Sequence, residues 1–233
     1  MTESPPRHEL KYIIPLYEKA LLTSAFSGIL LPDANARDGA YHIRSLYLED
    51  CFDTAYYDKI NGVAERKKYR LRIYNKTDSL VKLECKEKRS DRIIKYSAGI
   101  DRETAQDIAN GDFSSLEQIK DPLCREVCAL SRSRLLAPKM IIDYTREAYC
   151  CDSSDLRITF DTSPAVSAEC ADFFSAELDC AALADIPCIL EVKYGDSLPA
   201  HVAAILSAVK SSRQSVSKYT TAFDALRQYH ILY

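Results

Sequence analysis

The sequence predicts an α+β fold in which antiparallel strands close into a β-barrel. Strand-forming segments recur along the whole chain, and helical segments are inserted between them. The 15 tyrosines and the absence of tryptophan suit strands with half-polar surfaces. A length of 233 residues is enough to bury a substantial core. Because no repeat or linker divides the chain, we expect one domain over residues 1–233.

The elements follow from residue spacing and from turn and capping signals. Residues 75–78 form a hairpin-like turn between two strands, Asp101 precedes a helix as a candidate N-cap, and Gly111 follows that helix. Pro122 should interrupt a longer helical stretch. Strands are expected at 7–12, 41–48, 66–74, 80–88, 92–97, 139–150, 156–161 and 189–194. Helices are expected at 12–30, 53–61, 102–109, 114–136, 199–211 and 217–229.

Composition excludes several classes of protein. No apolar run approaches the ~20 residues that a membrane helix needs, and the polar first ten residues do not resemble a secretory signal. The nine cysteines are an odd number and form no CxxC pair, which favours reduced thiols over a disulfide framework or a zinc site. We therefore expect a cytoplasmic protein.

Charge is distributed unevenly along the chain. The net charge is −3, yet residues 59–102 hold 14 basic and 6 acidic residues. This segment is suited to meeting an anion. A nucleic acid is a weaker candidate, because the basic strands lack interleaved exposed aromatic residues for stacking.

Charged residues alternate with apolar ones in five predicted strands, so that each strand has one charged and one apolar side. A solvated sheet face explains this pattern in any single strand. Its repetition with acid beside base favours an enclosed lumen, with the apolar sides packed against helices outside. The charged sides hold Arg7, Glu9 and Lys11; Arg66, Lys68, Arg70 and Arg72; Lys82, Glu84, Lys86 and Lys88; Arg157, Thr159 and Asp161; and Glu191 and Lys193.

Such a lumen requires a compensating polyanion, because an isolated buried charge costs several kcal/mol. Arginine and lysine suit phosphates, through bidentate forks and point charges respectively. The glutamates would repel phosphate unless they hold a hard divalent cation that bridges protein and phosphate oxygens. The pattern therefore predicts a tunnel for a triphosphate or longer phosphate chain with Mg²⁺ or Mn²⁺. No Gly-rich phosphate loop is present.

An ordered set of motifs resembles the VTC (vacuolar transporter chaperone) domain family. The motifs are RHELKY at 7–12, SLYLED at 45–50, KYRLRIY at 68–74, LECK at 83–86, YTREAY at 144–149, LRITFD at 156–161, LEVKY at 190–194 and SKY at 217–219. The resemblance implies an eight-stranded antiparallel barrel of the triphosphate tunnel metalloenzyme type. It also implies a metal-dependent phosphotransferase, a polyphosphate polymerase that transfers the γ-phosphate of ATP to a growing polyphosphate chain.

The resemblance also implies roles for individual residues. Phosphates would be bound by Lys11, Arg70, Arg72, Lys86, Lys95, Arg146 and Lys218, supported by Tyr144. Arg157 and Lys193 would line the same tunnel. Glu191 would be the main metal ligand, with Glu84 and Glu9 as helpers. In catalysis, the metal on Glu191 would hold the triphosphate while Arg70, Arg72 and Arg146 stabilise the charge of the transferred group.

Several alternatives stay open. Lys95 and Lys218 could be solvated lysines, Tyr144 a packed strand residue, and Glu191 and Glu9 partners of Lys193 and Lys11 in structural salt bridges. The protein could instead be a CYTH-like triphosphate hydrolase or nucleotidyl cyclase, or a non-catalytic binder of polyphosphate or nucleotides. The membrane spans and regulatory SPX domain of eukaryotic relatives do not occur in this sequence, which is expected to be a short bacterial-type member. The acceptor, product length, preferred metal and oligomeric state stay undecided.

Overall fold

Eight long antiparallel strands form one continuous sheet in the computed structural model, which describes residues 2–3, 8–36, 39–90, 92–151, 154–214 and 216–228. The strands are β1 (Thr2–Glu3), β2 (His8–Ile13), β3 (Leu31–Pro32), β4 (Ala40–Glu49), β5 (Glu65–Tyr74), β6 (Thr77–Arg89), β7 (Arg92–Ile100), β8 (Ala137–Cys150), β9 (Arg157–Ser167), β10 (Ala181–Ala182) and β11 (Cys188–Tyr194). Their order is β1-β7-β6-β5-β4-β8-β9-β11-β2, with β10 and β3 attached to β9 and β8. The eight long strands match those expected from the sequence, and the three two-residue strands are additions.

In the part of the chain that the structure describes, six α-helices accompany the sheet. They are α1 (Leu16–Ser27), α2 (Thr54–Ile60), α3 (Arg102–Ala109), α4 (Pro122–Ser133), α5 (Ala200–Leu206) and α6 (Lys218–Gln228), with short 3₁₀ helices at Ser114–Gln118 and Cys170–Asp172. Within the described residues, every helix is too short or too polar to cross a bilayer. Arg7 of the first predicted strand and Tyr229 of the last predicted helix lie outside the described residues.

Local signals account for several element ends. The β5–β6 turn places Asn75 and Lys76 at positive φ, as a two-residue hairpin loop requires. The carboxylate of Asp101 accepts the backbone N–H of Thr104 and caps α3 as predicted. Pro122 occupies the first turn of α4, so the predicted interruption is confirmed.

The sheet is strongly curled but not closed by backbone pairing. Its two edges are 9 Å apart, and within the described ranges no hydrogen-bonded register joins β2 to β7. The free edge of β2 is partly covered by the segment before α6, where the N–H of Gln214 donates to the carbonyl of Lys11 (2.9 Å). The predicted closed barrel is therefore observed as a curled sheet with a gap between its edges.

Apolar side chains on the convex face pack against helices, as the sequence predicts. One cluster joins Leu71 and Leu83 to Ile108 of α3 and Val127 of α4. A second cluster joins Phe160 and Leu190 to α1 and α5. Burial of these apolar surfaces stabilises the packing of the helices on the curled sheet by about 25 cal/mol for each Å² removed from water.

The expectation that all helices pack outside is wrong for α6, which lies on the concave face. Its Tyr219 and Phe223 pack in one cluster with Ile43 and Ile142 of β4 and β8. The inner positions of these two strands are largely apolar, unlike those of the other strands. The apolar face of α6 covers these positions and removes them from water. Charged side chains in the lumen could not shield them in this way.

Candidate functional site

The concave face gathers the charged side chains of strands on opposite sides of the sheet. On β5 and β6, Arg70 lies opposite Glu84 and Arg72 opposite Lys82, while Tyr69 and Leu71 point to the outer core. Strong curvature brings these strands to face β8, β9, β11 and β2. The site is therefore a bore that stays open at the gap between the sheet edges and is lined by ionic groups.

The first cluster surrounds Glu84, whose side chain is 1% exposed. Arg70 donates from Nε and Nη2 to Glu84 Oε2 (2.8 and 2.7 Å), and Lys95 pairs with the other oxygen. Arg72 Nε lies 3.9 Å from Oε2. Burial alone would raise the pKa of Glu84, but the three cations hold it well below its ordinary value. Glu84 thus fixes the positions of three predicted phosphate-binding residues.

The second cluster surrounds Asp161 on β9, which is fully buried. Arg146 of β8 grips both carboxylate oxygens through Nε and Nη2 (2.6 and 2.7 Å), and Lys218 of α6 donates to Oδ2. Burial would raise the pKa of Asp161, but Arg146 and Lys218 lower it to about 2. The sequence placed Asp161 on the charged side of its strand but gave it no role. Its position four residues after Arg157, on the same face, was the available signal.

Tyr144 on β8 connects the two clusters. Its hydroxyl accepts a hydrogen bond from Arg72 Nη2 (3.2 Å), and Lys218 Nζ lies 4.6 Å from its ring centroid. Burial would raise the pKa of Tyr144, but Arg146 and Arg72 lower it below its ordinary value. The side chain therefore contacts two guanidinium groups, that of Arg72 through its hydroxyl and that of Arg146 through its ring (5.4 Å from the centroid).

The third cluster lies on β11 and β2. Lys193 Nζ pairs with Glu191 Oε1 (2.9 Å) and with Glu9 Oε1 (3.5 Å), while Lys11 pairs with Glu9 Oε2 (3.4 Å). Glu191 also lies 3.9 Å from Arg146 Nη2. Burial would raise the pKa of Glu191, but Lys193 and Lys11, a hydrogen bond with Glu9, and Arg146 lower it well below its ordinary value. Burial would lower the pKa of Lys11, but Glu191 and Glu9 raise it above its ordinary value.

Two further contacts flank these clusters. Arg157 pairs with Asp33 and donates to the hydroxyl of Tyr41 (3.0 Å). Lys86 Nζ lies 3.7 Å from Glu9 Oε2 across the gap between the sheet edges. Asp33 was not identified from the sequence, because it lies in a loop without strand alternation.

A family model of the VTC domain matches residues 6–227. The chain belongs to the VTC domain family. Among solved structures, the "putative adenylyl cyclase HpAC1" from Hippeastrum, described with a dominant triphosphatase activity, has a TM-score of 0.55 at 12% identity. The alignment covers 96% of each chain.

A second similar structure is a "putative adenylate cyclase" from Vibrio parahaemolyticus, with a TM-score of 0.51 at 12% identity. The alignment covers 94% of this chain and 98% of that one. At such identities the likeness shows a shared fold. A search of curated proteins finds no significant match. The VTC chain thus shares its overall fold with these proteins.

The carboxylates of the VTC chain on β2 and β11 are the candidates to hold a divalent cation. Among the described residues, no three His, Cys, Asp or Glu side chains converge on one point. Glu9 and Glu191 contact each other, whereas Glu84 is held in the Arg70 cluster. Thr159, register-paired with Glu191, has a buried hydroxyl that finds no hydrogen-bond partner among the described residues. Two carboxylates beside a buried hydroxyl fit a Mg²⁺-type ion that takes its other ligands from phosphate or water.

Proposed function

We propose that this VTC chain is a polyphosphate polymerase that transfers the γ-phosphate of ATP to a phosphate chain. The observation that carries the proposal is the convergence of Arg70 and Arg72 with Arg146 and Lys218 around Tyr144, on the concave face of the curled sheet. Phosphoryl transfer depends mainly on positioning and charge neutralisation, which such a set supplies. We also propose that the whole chain acts as one catalytic domain in the cytoplasm.

In the proposed reaction, a terminal oxygen of the acceptor phosphate forms a bond to the γ-phosphorus of ATP. The bond between that phosphorus and the bridging oxygen of the β-phosphate breaks, and ADP leaves. The attacking oxygen is already ionised, so no strong general base is needed. Arg70, Arg72 and Arg146 donate hydrogen bonds to the transferred group, and Lys11, Lys86, Lys95, Lys193 and Lys218 bind neighbouring phosphates.

A divalent cation, Mn²⁺ or Mg²⁺, would be held by Glu191 and Glu9 and would neutralise phosphate charge when bound. Lys193 and Lys11 would orient these carboxylates. Glu84 has a different proposed task in this arrangement. It keeps Arg70, Arg72 and Lys95 pointed into the bore.

Hydrolysis of triphosphates is the second candidate. The fold shared with HpAC1, described with a triphosphatase activity, favours it. The same side chains would then stabilise attack by water, giving free phosphate. The two reactions differ in acceptor alone.

The deciding experiment incubates the purified protein with ATP and Mn²⁺ or Mg²⁺ and resolves the products by size and charge. Long polyphosphate with ADP supports the polymerase, while phosphate release from ATP or tripolyphosphate without polymer supports the hydrolase. Glu191→Gln should abolish metal-dependent turnover. Glu117→Gln, an exposed carboxylate on the outer surface, is the matched control and should leave turnover unchanged. Tight binding without turnover would refute both reactions and leave a binding module.

A further inference from the structure

The outer side of α1 is apolar, although the helix already buries its other side against the sheet. Leu22 and Phe26 of α1 pack in one cluster with Phe160 and Leu190. The opposite side of the helix and the residues just after it expose large apolar side chains. They are Leu16 (58% exposed), Tyr17 (62%), Leu21 (69%), Ile29 (46%) and Leu31 (55%). Because a surface helix normally turns polar residues to water, this side of α1 is suited to being covered.

The charged residues of this segment are turned away from its outer side. Residues 16–32, all of which the structure describes, contain two charged residues, Glu18 and Lys19. Glu18 is buried, and its carboxylate accepts the backbone N–H of Lys210 (3.3 Å). Lys19 is half-buried and pairs with Glu147 of β8. Both charges are therefore engaged within the chain, and the outer side of α1 presents uncharged side chains.

The helix α5 packs in the same core cluster as α1 and extends the uncharged surface. Residues 197–209 contain no Asp, Glu, Lys or Arg. In contrast, the outer helices α3 and α4 expose charged side chains such as Glu103 and Arg132. The exposed side of α5 consists of small residues and one histidine, namely Ala200, His201, Ala203, Ala204 and Ser207. We call these residues, together with the exposed side of α1, Ile29 and Leu31, the α1–α5 surface.

We propose that the α1–α5 surface binds the same surface of a second copy of this chain and forms a symmetric dimer. A twofold axis pairs one patch with itself, and an uncharged patch permits this because no like charges meet. The five large side chains expose about 400–500 Å² of apolar surface, which is near the upper end for one patch on a monomer. Two copies would cover about 1,000 Å² in total, the size at which specific interfaces begin.

The rows of side chains on α1 are complementary to each other. Tyr17 and Leu21, four residues apart, form a raised row on the exposed side. Ala20, Ser24 and Gly28, also spaced by four residues, form a low row beside it. When two such helices cross, the raised row of one copy fits along the low row of the other. A twofold axis near Ser24 would therefore pack each ridge into the facing groove.

A lipid surface is a weaker occupant. Helices that lie on membranes combine an apolar face with lysine and arginine side chains, which attract anionic headgroups. Within α1 and α5, which the structure describes in full, no lysine or arginine is exposed. The chain also carries a net charge of −3, which anionic lipids would repel. These charges favour a second copy of the chain over a membrane.

The proposed pairing leaves the concave face of the sheet free. The helices α1 and α5 pack on the outer side of β9 and β11, against Phe160 and Leu190. Asp161 and Glu191, the next residues on these strands, belong to the opposite, inner side. The inference therefore does not depend on the proposed function.

Sedimentation analysis of the purified chain tests the proposal over about 1–100 µM, the range in which moderate affinities are resolved. The parent protein should change from monomer to dimer as its concentration rises. Leu21→Glu places a charge in the interface at a position that is exposed in the monomer. It should raise the dissociation constant by about 100-fold or more. The matched control is Ile60→Glu, at a 56% exposed position of α2, and should dimerise as the parent does.

A pair of variants at Ser24 tests the face-to-face arrangement. Ser24→Glu and Ser24→Lys should each weaken the dimer, because like charges meet near the axis. An equimolar mixture of the two should associate at least about tenfold more tightly than either alone, because opposite charges then meet. Circular dichroism checks that each variant is folded, and the exposed Ser24 provides variants independent of Leu21.

Three outcomes would overturn the inference. The first is a parent protein that stays monomeric over the whole range, and the second is Leu21→Glu dimerising as the parent does. The third is a mixture of the Ser24 variants that associates no better than each alone. Flotation with phosphatidylcholine–phosphatidylserine vesicles distinguishes the lipid alternative. A monomeric parent that binds these vesicles, and loses binding in Leu21→Glu, would assign the α1–α5 surface to lipid instead.

Discussion

Lys86 on β6 lies 3.7 Å from Glu9 on β2, although five strands separate β6 from β2 along the sheet. Side chains of strands so far apart meet only if the sheet curls and both point to its concave side. This contact therefore shows that the charged face of the sheet is the concave one. It also bridges the gap that backbone pairing leaves between the two edges.

Replacement of Arg72 by alanine is expected to lower turnover of ATP or tripolyphosphate by about 10²–10³-fold, the usual cost of removing one preorganised donor in a transition state. Arg72 donates to the hydroxyls of Ser45 (3.1 Å) and Tyr144 (3.2 Å), which hold its guanidinium group on the concave face. Initial rates check the effect. Arg72→Lys should recover part of the activity, and the exposed Arg132→Ala should behave as the parent. Full activity in Arg72→Ala would remove this residue from the site.

Replacement of Asp161 by asparagine should destabilise the protein by about 3–5 kcal/mol, because it leaves Arg146 and Lys218 buried without their countercharge. Urea unfolding measures the loss. The control is Glu117→Gln, which breaks an exposed pair with Arg132 and should cost about 0.5 kcal/mol or less. Equal effects in the two variants would contradict a buried ionic cluster.

Acid is expected to reduce the free energy of unfolding through the same carboxylate. The pKa of Asp161 is about 2 in the folded state, against an ordinary value of 3.8. Since the folded-state pKa is the lower one, the stabilisation is fully present above about pH 4 and is lost as the pH falls toward 2. The loss from this group is about 2 kcal/mol. Asp161→Asn should flatten the dependence over this interval, and an unchanged slope would show that Asp161 does not contribute.

Truncation of Phe223 to alanine should destabilise the fold by about 3–5 kcal/mol through the cavity that it leaves. The ring is 1% exposed and stacks on Tyr56 (4.2 Å between centroids), joining α6 to α2. Thermal or urea unfolding reports the change. The control is Gln228→Asn, at an exposed position of the same helix. A stability equal to that of the parent would mean that α6 does not pack inside the sheet.

Strand alternation, read from the sequence, determined which side chains share the inner face. The reason is local, because successive residues of a strand point to opposite sides whatever the rest of the chain does. The same local chemistry determined the cap at Asp101 and the interruption at Pro122. It also distinguished the charged walls from the apolar outer core.

Only the tertiary structure decided which inner side chains contact each other and which face of the sheet each helix covers, because strand alternation carries no information on either. The apolar stripe of α6 does not by itself indicate which face of the sheet the helix covers. The helix lies on the concave face because the inner positions of β4 and β8 are apolar and pack against it. The sequence likewise did not reveal that the edges stay apart, that Glu84 and Glu191 belong to separate clusters, or that Asp161 anchors Arg146 and Lys218. These depend on distances between residues far apart in the chain, which the curvature of the whole sheet sets.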